Sequence, residues 1–347
     1  MNIVVTGSAG FFGNYVTNYL LDKGHKVIGI DNLSRKGSEL NAKSQLKNES
    51  IRFFKADVSV KEDLEFLNAE HFDWIIDCAA DPSVLSGFGD SSRKLLDNNL
   101  ISTINLLEIC KHKEAGFILM STSRVYSIAD LCSIPYEENM TRFKIEESGT
   151  VDEEFSTRPP LSLYGSSKMT SEILAIEYSQ MFNIPVWINR CGVIAGPGQF
   201  GKIDQGVFSF WIYSWLRKSS VKYIGFEGSG KQVRDVIHPI DICDVMNQQI
   251  QDRIIEHWPV YNLGGGLENS ASLLELSQWC SNHINEQDQH ISSSNDNRPF
   301  DIPVFIMNTD RAKRRWNFKV TKSVDNILTE IRDFAIENPE FIEYLHK

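Results

Sequence analysis

Basic charge, clustered cysteines and long apolar runs are what this sequence has least of, and each shortage removes a class of function. Lys and Arg number 35 against 46 Asp and Glu, a formal charge of −11, so no basic face for nucleic acid is offered. No apolar stretch approaches the roughly 18 residues of a membrane span. The opening Asn2-Ile3-Val4-Val5-Thr6 has neither the basic flank nor the apolar length of an export signal, and a cytoplasmic location is expected. Six cysteines, at 78, 110, 132, 191, 243 and 280, are scattered without a C-x-x-C pair, against both a zinc cage and a disulfide scaffold. The eight histidines show no H-x-x-x-H spacing, and no metal is expected. What remains is an ordinary globular composition in a chain of 347 residues, long enough for two lobes.

Short β-branched runs alternate with helical periodicity through the first half. Ile3–Thr6, Lys26–Ile30, Ile51–Lys55, Trp74–Cys78, Phe117–Ser121 and Val186–Arg190 lack strict polar alternation, as strands covered on both faces do. Helices are predicted over Asn14–Lys23, Lys61–Glu70, Asp97–Lys113 and Lys168–Phe182. This order predicts an α/β fold, a Rossmann-type doubly wound parallel sheet with a smaller, discontinuous C-terminal α/β substrate lobe. The dinucleotide domain is expected over 1–190 plus about 235–263, where Tyr261-Asn262-Leu263 supplies a late strand. The second lobe is expected over about 191–234 and 264–347. Ile128–Leu163 reads as a long loop, of the kind that is functional or disordered. Asp288–Asn297, polar and Ser-rich, reads as a flexible loop.

Gly7-Ser8-Ala9-Gly10-Phe11-Phe12-Gly13 follows the first strand and opens the first helix. Glycines there permit a tight turn and close backbone approach to a pyrophosphate, with the helix N-terminus facing the anion. Asp31 ends the second strand, where a carboxylate accepts ribose hydroxyls and repels a 2′-phosphate; NAD is the expected cofactor, with Arg35 nearby. Asp57, after the third strand, suits an adenine contact or a helix cap.

Tyr164-Gly165-Ser166-Ser167-Lys168 puts a phenol and an ammonium on one helical face. A tyrosine with its ordinary pKa of about 10 is no base near neutral pH. A nearby cation favours the phenolate, and an oxidised nicotinamide adds to that charge. Lys168 can also hold the nicotinamide ribose. Thr122, at the end of the fifth strand, is positioned for the reacting hydroxyl or for loop backbone.

Together the glycine triplet, Asp31, Thr122, Tyr164 and Lys168 resemble the extended short-chain dehydrogenases/reductases, specifically their nucleotide-sugar epimerases and dehydratases. The resemblance covers nearly the whole chain, through Asn99 in the central helix, Arg190, Gly196-Pro197-Gly198, Arg234-Asp235, and Arg298…Asp310…Trp316. Asp31–Gly37, Tyr136-Glu137-Glu138, Leu163–Lys168 and Gln199-Phe200…Asp204-Gln205-Gly206 are most similar to enzymes inverting C2 of a CDP-linked 3,6-dideoxyhexose. The resemblance implies Tyr164 as base, Thr122 as hydroxyl partner and Lys168 as cofactor anchor. It implies cofactor contacts at Gly7, Gly10, Phe11, Phe12, Gly13, Asp31, Asn32, Arg35, Asp57, Val58, Ala79, Ala80, Asn99 and Ser121. Substrate contacts are implied at Ser83, Thr122, Ser123, Gln205, Gly206, Arg234 and Arg298, the two arginines clamping a diphosphate, with the base near Tyr223–Phe226.

The chain departs from the family pattern at Cys78, Asp81-Pro82, Ser127, Cys191-Gly192 and Ala195. Dehydratases of this group place an Asp-Glu pair after the threonine, whereas Ser123-Arg124 stand here, which disfavours elimination. A 4-epimerase or dehydrogenase on another nucleotide sugar remains open, as does a non-catalytic NAD sensor. A homodimer or tetramer through the helices at 97–113 and 164–182 is implied. Leu100, Ile104, Leu107 and Cys110, or Ile173, Ile176 and Met181, read equally as core.

Overall fold

The computed structural model describes residues 1–85, 91–202, 205–285, 291–294, 296 and 299–343. Its packing divides the chain into two compact units.

The first unit comprises Met1–Val125, Leu163–Cys191 and Pro239–Tyr261. A seven-stranded sheet is built from β1 (Asn2–Thr6), β2 (Lys26–Asp31), β3 (Ile51–Lys55), β4 (Trp74–Asp77), β5 (Gly116–Thr122), β6 (Val186–Cys191) and β7 (Val260–Leu263), in the order 3-2-1-4-5-6-7; all of it but Asn262 and Leu263 belongs to this unit. Every pairing from β3 through β6 is parallel. The expected doubly wound sheet is therefore present, and its order reverses between β1 and β4, where such sheets bind ligands beyond their carboxyl ends. Burial on both faces explains the uniformly apolar strands: Val4, Ile75, Phe117, Leu119, Val186 and Ile188 all enter one core.

Three expected elements differ in detail. The stretch predicted as helix from Lys61 is a 3-10 helix, Lys61–Ala69. The central helix begins earlier, at Ser92, and carries a π-turn, Asp97–Ile101, before Ser102–Lys113. The helix of Tyr164 spans Ser162–Phe182. Leu107 and Cys110 belong to the core, whereas Ile173 and Met181 are exposed.

The second unit comprises Tyr126–Ser162, Gly192–His238 and Asn262–Lys347. Residues 126–162, expected with the dinucleotide domain, cluster here because their backbone pairs here. Val151 donates to Ile306 O at 2.9 Å and accepts from Asn308 N at 2.8 Å, and Phe143 donates to Lys231 O at 2.9 Å. The segment is not one loop; it holds the helix Ile128–Cys132 and a hairpin, Glu137–Glu138 with Phe143–Lys144. Val233–Ile237 is flanked by Ser270–Ser272, Val304–Phe305 and Val193–Ile194. Within the expected flexible loop at 288–297, Ile291–Ser294 is a strand pairing in parallel with Val221–Ile224; positions 288–290, 295 and 297 lie outside the described residues. Among the described residues, no helix is long and apolar enough to cross a membrane and no metal-holding group of side chains occurs.

Candidate active site

At the end of β1 the backbone turns through Gly7 at φ +60°, where a side chain would lie 2.9 Å from Cys78 O. Gly13 is more constrained: a Cβ there would stand 2.0 Å from Gly7 O. Gly10 donates to Gly7 O at 2.9 Å and caps the helix Phe11–Asp22 without a side chain. The first amides of that helix therefore lack a capping group and form an anion site of the kind a pyrophosphate fills. Phe11 and Phe12 are half-buried in its first turn.

The turn is braced from below by residues that glycine spacing does not reveal. Gln45 donates to Ser8 O at 2.6 Å and Asn41 donates to Ala9 O at 3.0 Å. Asp31 Oδ2 accepts from Ala9 N at 3.1 Å and Oδ1 from Leu33 N at 2.8 Å, so the carboxylate is aimed with acceptor capacity remaining for hydroxyls. Burial raises its pKa, and the backbone N–H groups of Leu33, Ala9 and Gly10 oppose that rise. Asp57 accepts from Ser59 N and Oγ and from Asn32 Nδ2, the last at 2.9 Å. These bonds outweigh its burial and hold its carboxyl below the usual range. Asp57 thus forms a turn before the 3-10 helix and does not cap it, because the residue preceding Lys61 is Val60 and no side chain caps that helix. Val58 is buried, and its carbonyl accepts from Asn105. Arg35 is half-buried, its carbonyl accepting from Ser38. A glycine cradle, an uncapped helix start and a carboxylate ending β2 fit a dinucleotide.

Beyond β4, Ala79 N donates to Thr6 Oγ1, and Ala80 is exposed. Asn99, on the π-turn, accepts from Asp81 N at 2.8 Å and donates to Asp81 O at 3.1 Å and to Ser167 Oγ at 3.3 Å. One side chain thus joins the loop after β4 to the helix of Tyr164. Ser83 is buried, with its Oγ accepting from Leu85 N.

Tyr164, on the helix Ser162–Phe182, is 6% exposed. Burial pushes its pKa up to about 12; Thr122 and the charge of Arg124 draw it down, while Cys191 and Asp81 act upward. Lys168, 2% exposed, is lowered by burial, against which Asp77, Cys78 and Glu172 favour its charged form. Asp77 is also buried; its Oδ1 accepts from Thr6 at 2.7 Å. Burial raises Asp77, and Lys168 is the first group opposing this. Ser121, an expected cofactor contact, donates its hydroxyl to Glu172, which also accepts from the fully buried Arg190 at 2.7 Å. Asp77 and Glu172 were not visible as site residues, because nothing in their local spacing marks a buried charge. Ser123 opens the turn after Thr122.

Of the expected substrate residues, Gln205, Gly206 and Arg234 lie in the second unit, and Arg298 lies outside the described residues. Arg234 donates to Asp301 Oδ1 at 2.8 Å and to Val233 O at 2.7 Å. Gly206, at φ +66°, starts the helix Val207–Leu216. Tyr223 is committed to the core, stacking on Trp211 and donating to Ser277 at 2.6 Å. Ser127, unusual against the family, caps the helix Ile128–Cys132 by accepting from Asp130 N.

A glycine cradle at the switch point, with a tyrosine, a threonine and a lysine beyond the neighbouring strands, defines a dinucleotide-dependent oxidoreductive enzyme of the short-chain type. The chain belongs to the NAD dependent epimerase/dehydratase family, whose model matches residues 3–264, and NAD is its cofactor. It is 28% identical over 295 residues to CDP-paratose 2-epimerase of Salmonella typhi, covering 82% of this chain and 85% of that protein. A UDP-glucuronic acid 4-epimerase from Bacillus cereus, solved with UDP-glucuronic acid and NAD, superposes with a TM-score of 0.80 at 25% identity, over 97% of this chain and 99% of its own. A UDP-glucose 4-epimerase from Thermotoga maritima, solved with UDP-glucose, has the same fold, with a TM-score of 0.81 at 22% identity, over 98% of this chain and 100% of its own.

Proposed function

We propose that this enzyme inverts one carbon of a nucleotide sugar, C2 of a CDP-linked deoxyhexose, with Tyr164 as the base. The observation that supports the reading is the buried pair Tyr164 and Lys168 on one helix, in the same unit as the Gly7–Gly13 cradle. Bound NAD supplies a hydride acceptor and donor. Tyr164 takes the proton of the sugar hydroxyl and later returns it; Thr122 orients that hydroxyl. Lys168 holds the nicotinamide ribose, Asp31 the adenosine ribose, and the Gly7–Gly13 turn the pyrophosphate. Asn32, Arg35, Asp57, Val58, Ala79, Ala80, Asn99 and Ser121 complete the cofactor surroundings. Ser83, Ser123, Gln205, Gly206, Arg234 and Arg298 serve the substrate. Ser123-Arg124 support inversion over elimination, since a guanidinium has no proton to give near neutral pH.

The choice of C2 and cytidine is supported by likeness to the CDP-paratose enzyme. Inversion at C4 of a UDP-linked sugar is the second reading, supported by the end-to-end likeness to a UDP-glucuronic acid 4-epimerase. A homodimer through the exposed Ile173, Met181 and Phe182 accompanies either reading. NMR of CDP-, UDP-, GDP- and dTDP-sugars incubated with the purified enzyme tests it. One CDP-sugar should invert at C2 without net accumulation of reduced cofactor. Steady release of reduced cofactor would indicate a dehydrogenase, and turnover of none would revive the sensor.

A further inference from the structure

The helix that carries Tyr164 and Lys168 turns a polar face inward, where an apolar stripe is usual. Tyr164, Ser167, Lys168, Ser171 and Glu172 follow one another at helical spacing, and all are buried. Two of them anchor to the central helix: Ser171 donates to Asn99 O at 3.1 Å, and Ser167 Oγ accepts from Asn99 Nδ2 at 3.3 Å. Glu172 reaches the sheet instead. Its Oε2 accepts from Arg190 Nη2 at 2.7 Å, both of its oxygens lie 3.1 Å from Arg190 Nε, and Oε1 accepts the hydroxyl of Ser121.

These three side chains come from three elements and meet at one level. Ser121 and Arg190 are direct partners in the parallel register of β5 and β6, and Glu172 joins them from the helix. All three are buried, and the Trp258 ring centre lies 5.9 Å from the guanidinium carbon of Arg190. Apolar side chains would fill the same space without dictating where the helix sits along the strands. A fork of directional bonds does dictate it. Slipping by one residue moves a helix about 1.5 Å and turns it by roughly 100°, and either displacement would leave a buried charge without its partner. Lys168 stands one turn and Tyr164 two turns before Glu172, while Thr122 follows Ser121 directly.

We propose that Glu172, held by Arg190 and Ser121, is a positioning residue for the reaction: the buried fork sets the register of its helix against β5, and with it the placing of Tyr164 and Lys168 relative to Thr122. This rests on the assignment of Tyr164 as the base. The pair thereby serves more than stability, since apolar side chains of similar volume often hold a fold as well as a buried ion pair does. A misplacement of about 1 Å can cost about a hundredfold in rate, so a lost register is felt in the chemical step while the fold persists.

Glu172→Leu combined with Arg190→Met removes both charges at once and keeps the volume; Glu172→Met with Arg190→Leu is a second version should the first fail to fold. Fluorotyrosine incorporated into the cofactor-free protein gives a readout that needs no substrate, with Tyr164→Phe assigning the resonance. In the double variant the Tyr164 fluorine signal should shift or split, while those of Tyr213 and Tyr223 in the second unit stay in place. The kcat for inversion should fall by about a hundredfold, and NAD affinity should change by less than about tenfold because the glycine cradle is held by other side chains. Arg190→Lys, which keeps the charge and loses the fork, should fall between parent and double variant. A Tyr164 signal unmoved in the folded double variant, or an unchanged kcat, would overturn the proposal. Tyr164→Phe separates the two readings: inversion at the parent rate there would remove Tyr164 as the base and leave the fluorine signal to decide the register.

Discussion

The dinucleotide turn and the reaction helix, both in the first unit, are held by opposite means. The turn is shaped by atoms that are missing: no side chain fits at Gly13, and none caps the helix it opens. The reaction helix is shaped by charge taken out of water, since Asp77, Lys168, Glu172 and Arg190 are each at most 2% exposed. A missing Cβ constrains one backbone and leaves a concave, donor-rich surface for an anion. A buried charge constrains its partners, because an uncompensated one is costly. The first design leaves a concave, donor-rich turn, the second a rigidly held helix. Asp235 in the second unit combines both: a Cβ at Gly264 would lie 2.2 Å from its Oδ2, and one at Gly192 would lie 2.8 Å from its Oδ1.

The comparison breaks most visibly at Glu172. Glu172→Ala removes the carboxylate opposite the fully buried Arg190, and urea unfolding should show a loss of about 3–5 kcal/mol. A loss below about 1 kcal/mol would mean the buried charges do not hold the helix.

At the turn, Gly13→Ala drives a methyl group against a carbonyl that cannot yield. A cost of about 3 kcal/mol is expected, at the upper end of ordinary overpacking. Calorimetry should find NAD binding weakened by more than a hundredfold; unchanged affinity would contradict the cradle.

Asp235 gives a pH-dependent effect. Burial raises its carboxyl from 3.8 to about 6, so the folded state holds a proton that the unfolded chain releases. Its contribution is complete below about pH 4, falls as pH rises through about 6, and is lost above; it is worth up to about 3 kcal/mol. His238, which burial depresses to about 4, works oppositely, its contribution being lost as pH falls toward that value. Stability measured from pH 4 to 7 should therefore rise more steeply in Asp235→Asn than in the parent protein. Parallel curves would show that Asp235 titrates normally.

The smallest effect is expected at a site where neither missing atoms nor buried charge dominates. Ser272 forms a capping box with Glu275 at the start of Leu273–His283, and Ser272→Ala should lower thermal stability by about 1 kcal/mol. A loss as large as that at Glu172 would erase the distinction drawn between capping and charge burial.

The same contrast explains what the amino-acid sequence disclosed. Gly7, Gly10, Gly13 and Asp31 were legible because each acts through its own position after a strand. Tyr164 and Lys168 were legible because helical spacing sets them on one face. The doubly wound parallel sheet followed from the alternation of apolar runs and helices. Asp77 and Glu172 were not legible, because their partners Thr6, Thr103, Ser121 and Arg190 come from distant strands and helices. Residues 126–162 joined the second unit through backbone pairing that leaves no side-chain pattern.

Tyr164→Phe, compared with the parent enzyme for NAD binding and for sugar inversion by NMR, probes the central assignment most directly. The phenylalanine variant should bind NAD normally and invert its nucleotide sugar at least a hundredfold more slowly. Inversion at the parent rate would show that the proton is handled elsewhere.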